Sequence, residues 1–103
     1  MKKSMIVAGI MSGTSADGID VALVKISATS ALARLKLIAH HAVPYPKSLR
    51  SAVLAAMNAR ETSTAELARL NWRLGIAYAE AVSAAVAKHP VKLDLVGCHG
   101  QTI

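Results

Sequence analysis

Twelve residues near the start of the chain, "GIMSGTSADGID" from Gly9 to Asp20, gather three glycines, three small hydroxyl residues and two aspartates. A turn built of Gly, Ser and Thr can curl its backbone N–H groups and hydroxyls towards one point. Such a cluster suits a phosphate, because the donors converge and no bulky side chain blocks the approach. Asp17 or Asp20 could hold a hydrated Mg²⁺ beside that phosphate. The spacing is not that of a P-loop, since no lysine follows a glycine at the required place. It is not the dinucleotide fingerprint either, because the glycines are too far apart and a strand follows rather than a helix. A plain tight hairpin is the alternative reading. Against it stand the length of the turn and its hydroxyl content.

A second candidate is "GCHGQT" at residues 97–102. It follows a strand-like segment, where sheet-based sites collect. His99 and Gln101 are flanked by small residues and could reach a ligand. Cys98 is expected in the core rather than as a reactive thiol. One cysteine and four histidines do not give the paired spacing of a zinc site. His40 and His41 are adjacent on a strand-like segment and point to opposite faces.

The surrounding pattern must position these two stretches. "MIVAGIM", Met5 to Met11, is short and apolar, the mark of a buried strand. Residues 12–17 form a turn. Residues 19–27 alternate apolar and polar, with a slip at Leu23 and Val24, and predict a second strand paired with the first. A turn at 27–31 leads to a third alternating strand, ended by Pro44 and Pro46. Pro46 suits a first helical turn, and Leu49, Val53, Ala56 and Met57 then share one helical face, giving a helix from Lys47 to about Ala59. Ser63 and Glu66 form a capping box before a longer helix, Thr64 to Lys88, stopped by Pro90. Leu67, Leu70, Leu74, Tyr78, Ala81, Val82 and Ala85 line its apolar side. Gly75 and the many alanines predict close packing against a neighbour. A fourth strand is expected at about Leu93 to Cys98. The order β-β-β-α-α-β implies an α/β fold with a mixed β-sheet and helices on at least one face.

Composition narrows the function classes. At 103 residues the chain fits one small domain. Its hydrophobic fraction is 53%, yet twenty of those residues are alanine and there is no phenylalanine, so large core-filling side chains are few. An incompletely covered sheet or helix face is therefore expected. The net charge of +6 raises the prospect of nucleic-acid binding, but the basic residues are scattered and no aromatics are interleaved to stack bases. No nucleic-acid partner is expected. The single cysteine fits a reducing compartment. The apolar run at Met5 to Met11 reads as a buried strand rather than a signal peptide, and no segment approaches the roughly 20 apolar residues of a spanning helix. These features predict a cytoplasmic protein without a membrane partner.

Taken together, "MSGTSADGID" and "GCHGQT", in this order and separation, resemble the anhydro-N-acetylmuramic acid kinase family. The meander, helices and returning strand resemble the opening of the ribonuclease-H-like, actin-like/hexokinase/Hsp70 ATPase fold of that family. The resemblance covers essentially the whole chain, residues 1–103, as the N-terminal part of a kinase lobe. The rest of that lobe and a second domain would lie beyond it. It implies use of ATP and Mg²⁺ to convert 1,6-anhydro-N-acetylmuramic acid, a small-molecule substrate, into N-acetylmuramic acid 6-phosphate with cleavage of the anhydro ring, in peptidoglycan recycling. It places the ATP-phosphate loop on Gly13, Thr14, Ser15, Ala16, Asp17, Gly18, Ile19 and Asp20, and the border of the sugar cleft on the loop His99 to Thr102, with His99 and Gln101 as substrate-binding residues. It allows homodimerisation of full-length relatives. Ala16 departs from the pattern, where a larger apolar residue is expected. The family's general-base aspartate is expected further along than Ile103, so no catalytic residue is assigned and the chain alone is expected to be inactive. The alternative is a stand-alone phosphate- or nucleotide-binding module without catalysis.

Overall fold

The computed structural model describes residues 4–13, 16–29 and 31–102. Six elements follow in the expected order: β1 (Ser4–Ser12), β2 (Gly18–Ala28), β3 (Ala33–Pro44), α1 (Lys47–Met57), α2 (Thr64–Lys88) and β4 (Leu95–Cys98). The four strands form one sheet in the order β3-β2-β1-β4. The pairs β1/β2 and β2/β3 are antiparallel, whereas β4 returns parallel to β1. The fold is thus α/β with a mixed sheet, as an actin-like ATPase subdomain requires. Among the described residues no helix is long and apolar enough to cross a membrane.

Strand alternation puts Ala8, Ile10 and Ser12 of β1 beside Leu23, Val21 and Ile19 of β2 on one face, and all six are buried. Helix α2 covers that face with Leu70, Leu74, Ala77, Tyr78, Ala81 and Ala85, and α1 adds Leu49 and Val53. The period of the helix and the period of the strands therefore meet in one core. The other face carries Met11, Leu35, Leu37 and Leu95, all exposed. Their exposure matches the incompletely covered face expected from the shortage of large side chains.

Several local expectations change. Helix α1 ends at Met57, two residues early, with Asn58 as its C-cap. Pro46 occupies the N-cap position rather than the first turn itself. Only half of the capping box forms: the Glu66 N–H donates to Ser63 Oγ at 3.1 Å, while the Glu66 carboxylate accepts from Thr62 Oγ1 at 3.3 Å instead of reaching back to Ser63. Gly75 is exposed, and a Cβ there would meet nothing within 4 Å. Close packing is carried by Ala77, Ala81 and Ala85 instead, one helical turn apart on the sheet side. Strand β4 starts at Leu95, because Asp94 caps it: its N–H donates to Ile6 O at 2.8 Å and its carboxylate accepts from Ile6 N at 2.9 Å. The register between β2 and β3 passes from Leu23↔Ala39 to Val24↔Leu37, leaving Ile38 as an extra residue. The slip in the β2 alternation coincides with this bulge in the partner strand.

Candidate active site

The glycine turn closes at the end of β1, where Ser12 gives way to Gly13. Of the phosphate-loop candidates, Gly13, Ala16, Asp17, Gly18, Ile19 and Asp20 are described, and Thr14 and Ser15 lie outside the described residues. The Ala16 N–H donates to Gly13 O at 3.0 Å, a turn-closing bond. Ala16 takes φ 52°, the left-handed region, and is completely buried. An alanine there carries strain of roughly 1 kcal/mol or more, which surrounding contacts must hold in place. Gly18 opens β2 with its Cα so close to β3 that an added Cβ would stand 3.1 Å from Val43 O. Here the missing side chain serves a close approach of two backbones.

Arg50, on the first turn of α1, holds the turn from the helix side. Its Nε donates to Ala16 O at 3.2 Å and its Nη2 to Asp17 Oδ1 at 3.2 Å. The planar guanidinium reaches the two acceptors from two separate nitrogens in a fixed fork, a geometry that the single nitrogen of an ammonium does not reproduce. Both charges are partly in water, so the ion pair itself is worth about 0–1 kcal/mol. Its value lies in fixing the left-handed residue. Arg50→Ala is therefore expected to change global stability by less than about 1 kcal/mol, while amide exchange at Asp17 and Gly18 accelerates. Hydrogen exchange followed by NMR, beside a urea melt, checks both halves. Arg50→Lys should not restore the protection.

The two candidate aspartates part company. Asp17 is held on the helix side by Arg50, whereas Asp20 lies on the open face of the sheet and accepts from or faces His40 Nε2 at 2.9 Å. They do not converge on one cation position. Among the described residues no group of three His, Cys, Asp or Glu side chains is placed to hold a metal ion. A Mg²⁺ needs only one or two carboxylates when phosphate and water complete its shell, so Asp17, exposed on the turn itself, fits that use.

The second motif arrives at the same end of the sheet. β4 runs parallel beside β1, and the His99 N–H donates to Ile10 O at 3.1 Å, extending the ladder by one bond. Gln101 then reaches the first motif: its Nε2 donates to Gly13 O at 3.2 Å and to Thr102 O at 3.2 Å. Its Oε1 accepts from Ser12 Oγ. His99 is exposed at the mouth of a cavity of about 540 Å³ between α2 and the loop after β4, with Tyr78, Cys98 and Gln101 among its walls. Cys98 is exposed, not packed in the core. Its strand is the edge of the sheet, and α2 lies across β1, β2 and β3 without reaching β4.

Composition held one signal for the residues that motif reading missed. The chain has only two tyrosines and no phenylalanine, and the two tyrosines meet. Tyr45 OH lies 2.5 Å from Ser12 Oγ and 3.4 Å from both Tyr78 OH and Gln101 Oε1. Burial first, and then the hydrogen bond to Tyr45, push the Tyr78 hydroxyl well above the usual tyrosine range, so it stays protonated and available as a donor. Among the described residues every buried side-chain nitrogen and oxygen has a partner.

The family model for anhydro-N-acetylmuramic acid kinase matches residues 5–103. An anhydro-N-acetylmuramic acid kinase of Bacillus cereus (strain Q1) is 39% identical over 102 residues, covering 96% of this chain and 27% of the relative. Kinases of the same name from Bacillus cereus (strain AH820) and Bacillus anthracis are each 38% identical over the same span. The chain therefore spans about a quarter of the length of the curated relatives it matches, 27%. With both motifs joined at one end of a mixed sheet and the match extending over nearly every residue, the chain belongs to the anhydro-N-acetylmuramic acid kinase family.

Proposed function

We propose that the turn from Gly13 to Asp20 grips the phosphates of ATP, and that this stretch forms part of a kinase converting 1,6-anhydro-N-acetylmuramic acid to N-acetylmuramic acid 6-phosphate. The observation that carries the reading is the hydrogen bond from Gln101 Nε2 to Gly13 O, which joins the two family motifs at one end of the sheet. Phosphoryl transfer demands positioning and charge neutralisation more than covalent help from the protein. The turn offers backbone donors without obstructing side chains, and Thr14 and Ser15 add hydroxyls by resemblance. Arg50 brings a cation to its flank.

Mg²⁺, when bound, would neutralise phosphate charge and orient the transferred group. Asp17 is the residue we assign to its water shell. Asp20, bound to His40 on the open face, is the second choice. The loop from His99 to Thr102 borders the sugar, with His99 and Gln101 on that side. The aspartate that removes a proton from the ring-opening water belongs, in this reading, to the three quarters of the relatives' length that this chain does not span. The reaction serves recycling of cell-wall fragments in the cytoplasm.

Calorimetry with Mg·ATP tests the turn. Binding to the wild-type chain should weaken about tenfold or more in Asp17→Ala, and unaltered heats would count against the turn as the site. Turnover needs the remaining length. Co-expression with the C-terminal region of a relative should give ATP-dependent loss of the anhydro sugar. Mg·ATP binding without turnover in that mixture would favour a phosphate-binding module that does no chemistry.

A further inference from the structure

We propose that Gln101 is a positioning residue of the phosphate-gripping turn, acting through the carbonyl of Gly13, and that Ser12, Tyr45 and Tyr78 orient its carboxamide. The inference rests on the reading of the turn given above and adds a role for a residue otherwise assigned only to the sugar side.

A carboxamide has two N–H donors and one acceptor oxygen with two lone pairs. All are spoken for. Both N–H groups go to carbonyls, those of Gly13 and Thr102, and Oε1 faces Ser12 Oγ and Tyr45 OH. Each hydroxyl has a single proton to give, which sets a direction. Tyr78 donates to Tyr45, Tyr45 to Ser12, Ser12 to Gln101 Oε1, and Gln101 Nε2 to Gly13 O. Three protons serve this chain, and the further 3.4 Å contact between Tyr45 OH and Gln101 Oε1 is left without one. The carbonyls of Gly13 and Thr102 can only accept, so the end of the carboxamide that meets them is the nitrogen, and the oxygen is left to accept from Ser12. Ser12, Tyr45 and Tyr78 are buried, so the oxygen end of the carboxamide is anchored against the core.

The target of the chain is the carbonyl that also receives the Ala16 N–H. Gly13 O therefore carries two donors, one closing the turn and one bracing it from the loop after β4. With Arg50 on Ala16 O, the turn is held at both ends. Asn at position 101 would be one methylene short. Glu would keep an acceptor for Ser12 and Tyr45 but, ionised, would offer Gly13 no N–H.

The test compares the whole chain with Gln101→Ala, Gln101→Glu and Tyr45→Phe by backbone amide exchange without ligand, then by Mg·ATP calorimetry. Exchange at Ala16, Asp17 and Gly18 should rise about fivefold to tenfold in both Gln101 variants, as loss of one hydrogen bond implies. It should rise less in Tyr45→Phe, and amides of Leu74 and Ala81 in α2 should hold their rates. Mg·ATP affinity should fall in the same rank order. Unchanged exchange at the turn in Gln101→Glu overturns the proposal, and so does an equal rise in α2, which would mark a general contribution to the fold. Failure of the wild-type chain to bind Mg·ATP would instead remove the nucleotide reading, and the exchange result would still decide whether Gln101 braces the turn.

Discussion

Leu23→Ala is expected to lower the unfolding free energy by about 3–4 kcal/mol, the range for a buried leucine whose surroundings cannot collapse. Leu23 is completely buried at the middle of β2. Its neighbours across the two strand pairs are Ala8 and Ala39, which have no reach to fill the space it would leave. Helix α2 covers this face of the sheet, and three of its six buried side chains, Ala77, Ala81 and Ala85, are equally short. In a core with few large side chains, one leucine carries a disproportionate share. Urea unfolding should show a lower midpoint with an unchanged slope, the sign of lost stability without a change in the surface exposed. Leu35→Ala provides the contrast. That side chain sits on the open face, mostly in solvent, and its loss should cost less than about 0.5 kcal/mol.

Ala16→Val carries the second large effect. A β-branched residue is a genuine outlier at positive φ, and Ala16 stands at φ 52°. The site is also fully buried, so two added methyl groups find no room without moving the backbone. The two costs together come to about 3 kcal/mol. The turn can escape this only by abandoning the geometry held by Arg50 and Gly13, so amide protection at Asp17 and Gly18 should fall with the stability. Ala16→Gly separates the contributions. It relieves the left-handed strain, worth about 1 kcal/mol, and removes a buried methyl, worth about 0.8 kcal/mol. The two should nearly cancel, leaving the urea midpoint close to that of the parent. A valine variant as stable as the parent would show that the turn tolerates a different path.

How much of this was legible beforehand depends on the range of the interaction. The hairpin of β1 and β2 declares itself through alternation and a glycine-rich break, both local. Helix α2 declares itself through period and through Ser63, also local. The β4 segment was visible, but its parallel pairing with β1 puts Val7 beside Leu95, a partnership no local pattern encodes. That same edge position explains the error at Cys98. An apolar-looking residue after a strand reads as core unless the edge of the sheet is known. Arg50 was one basic residue among twelve, and nothing near it in sequence points to Ala16. Gln101 stood out as a candidate for the sugar side, but its link to Ser12 and Tyr45, neither of them singled out, appears only when the fold brings the three together. Gly75 misled for the opposite reason: a small residue on a helix suggests a close neighbour, and here it faces solvent.

The parallel return of β4 also dictates when the site can exist. The bonds that seat β4 link Ile6 to Asp94, residues 88 positions apart. Contacts of such separation form late, because most of the chain must be ordered before the loop they close becomes affordable. The hairpin carrying the glycine turn can fold soon after it is synthesised, but Gln101 reaches Gly13 only after both helices are in place. During synthesis the turn is thus made first and braced last. A chain interrupted before β4 would present the hairpin without its brace, so the geometry of the turn is a property of the finished fold and not of the motif alone.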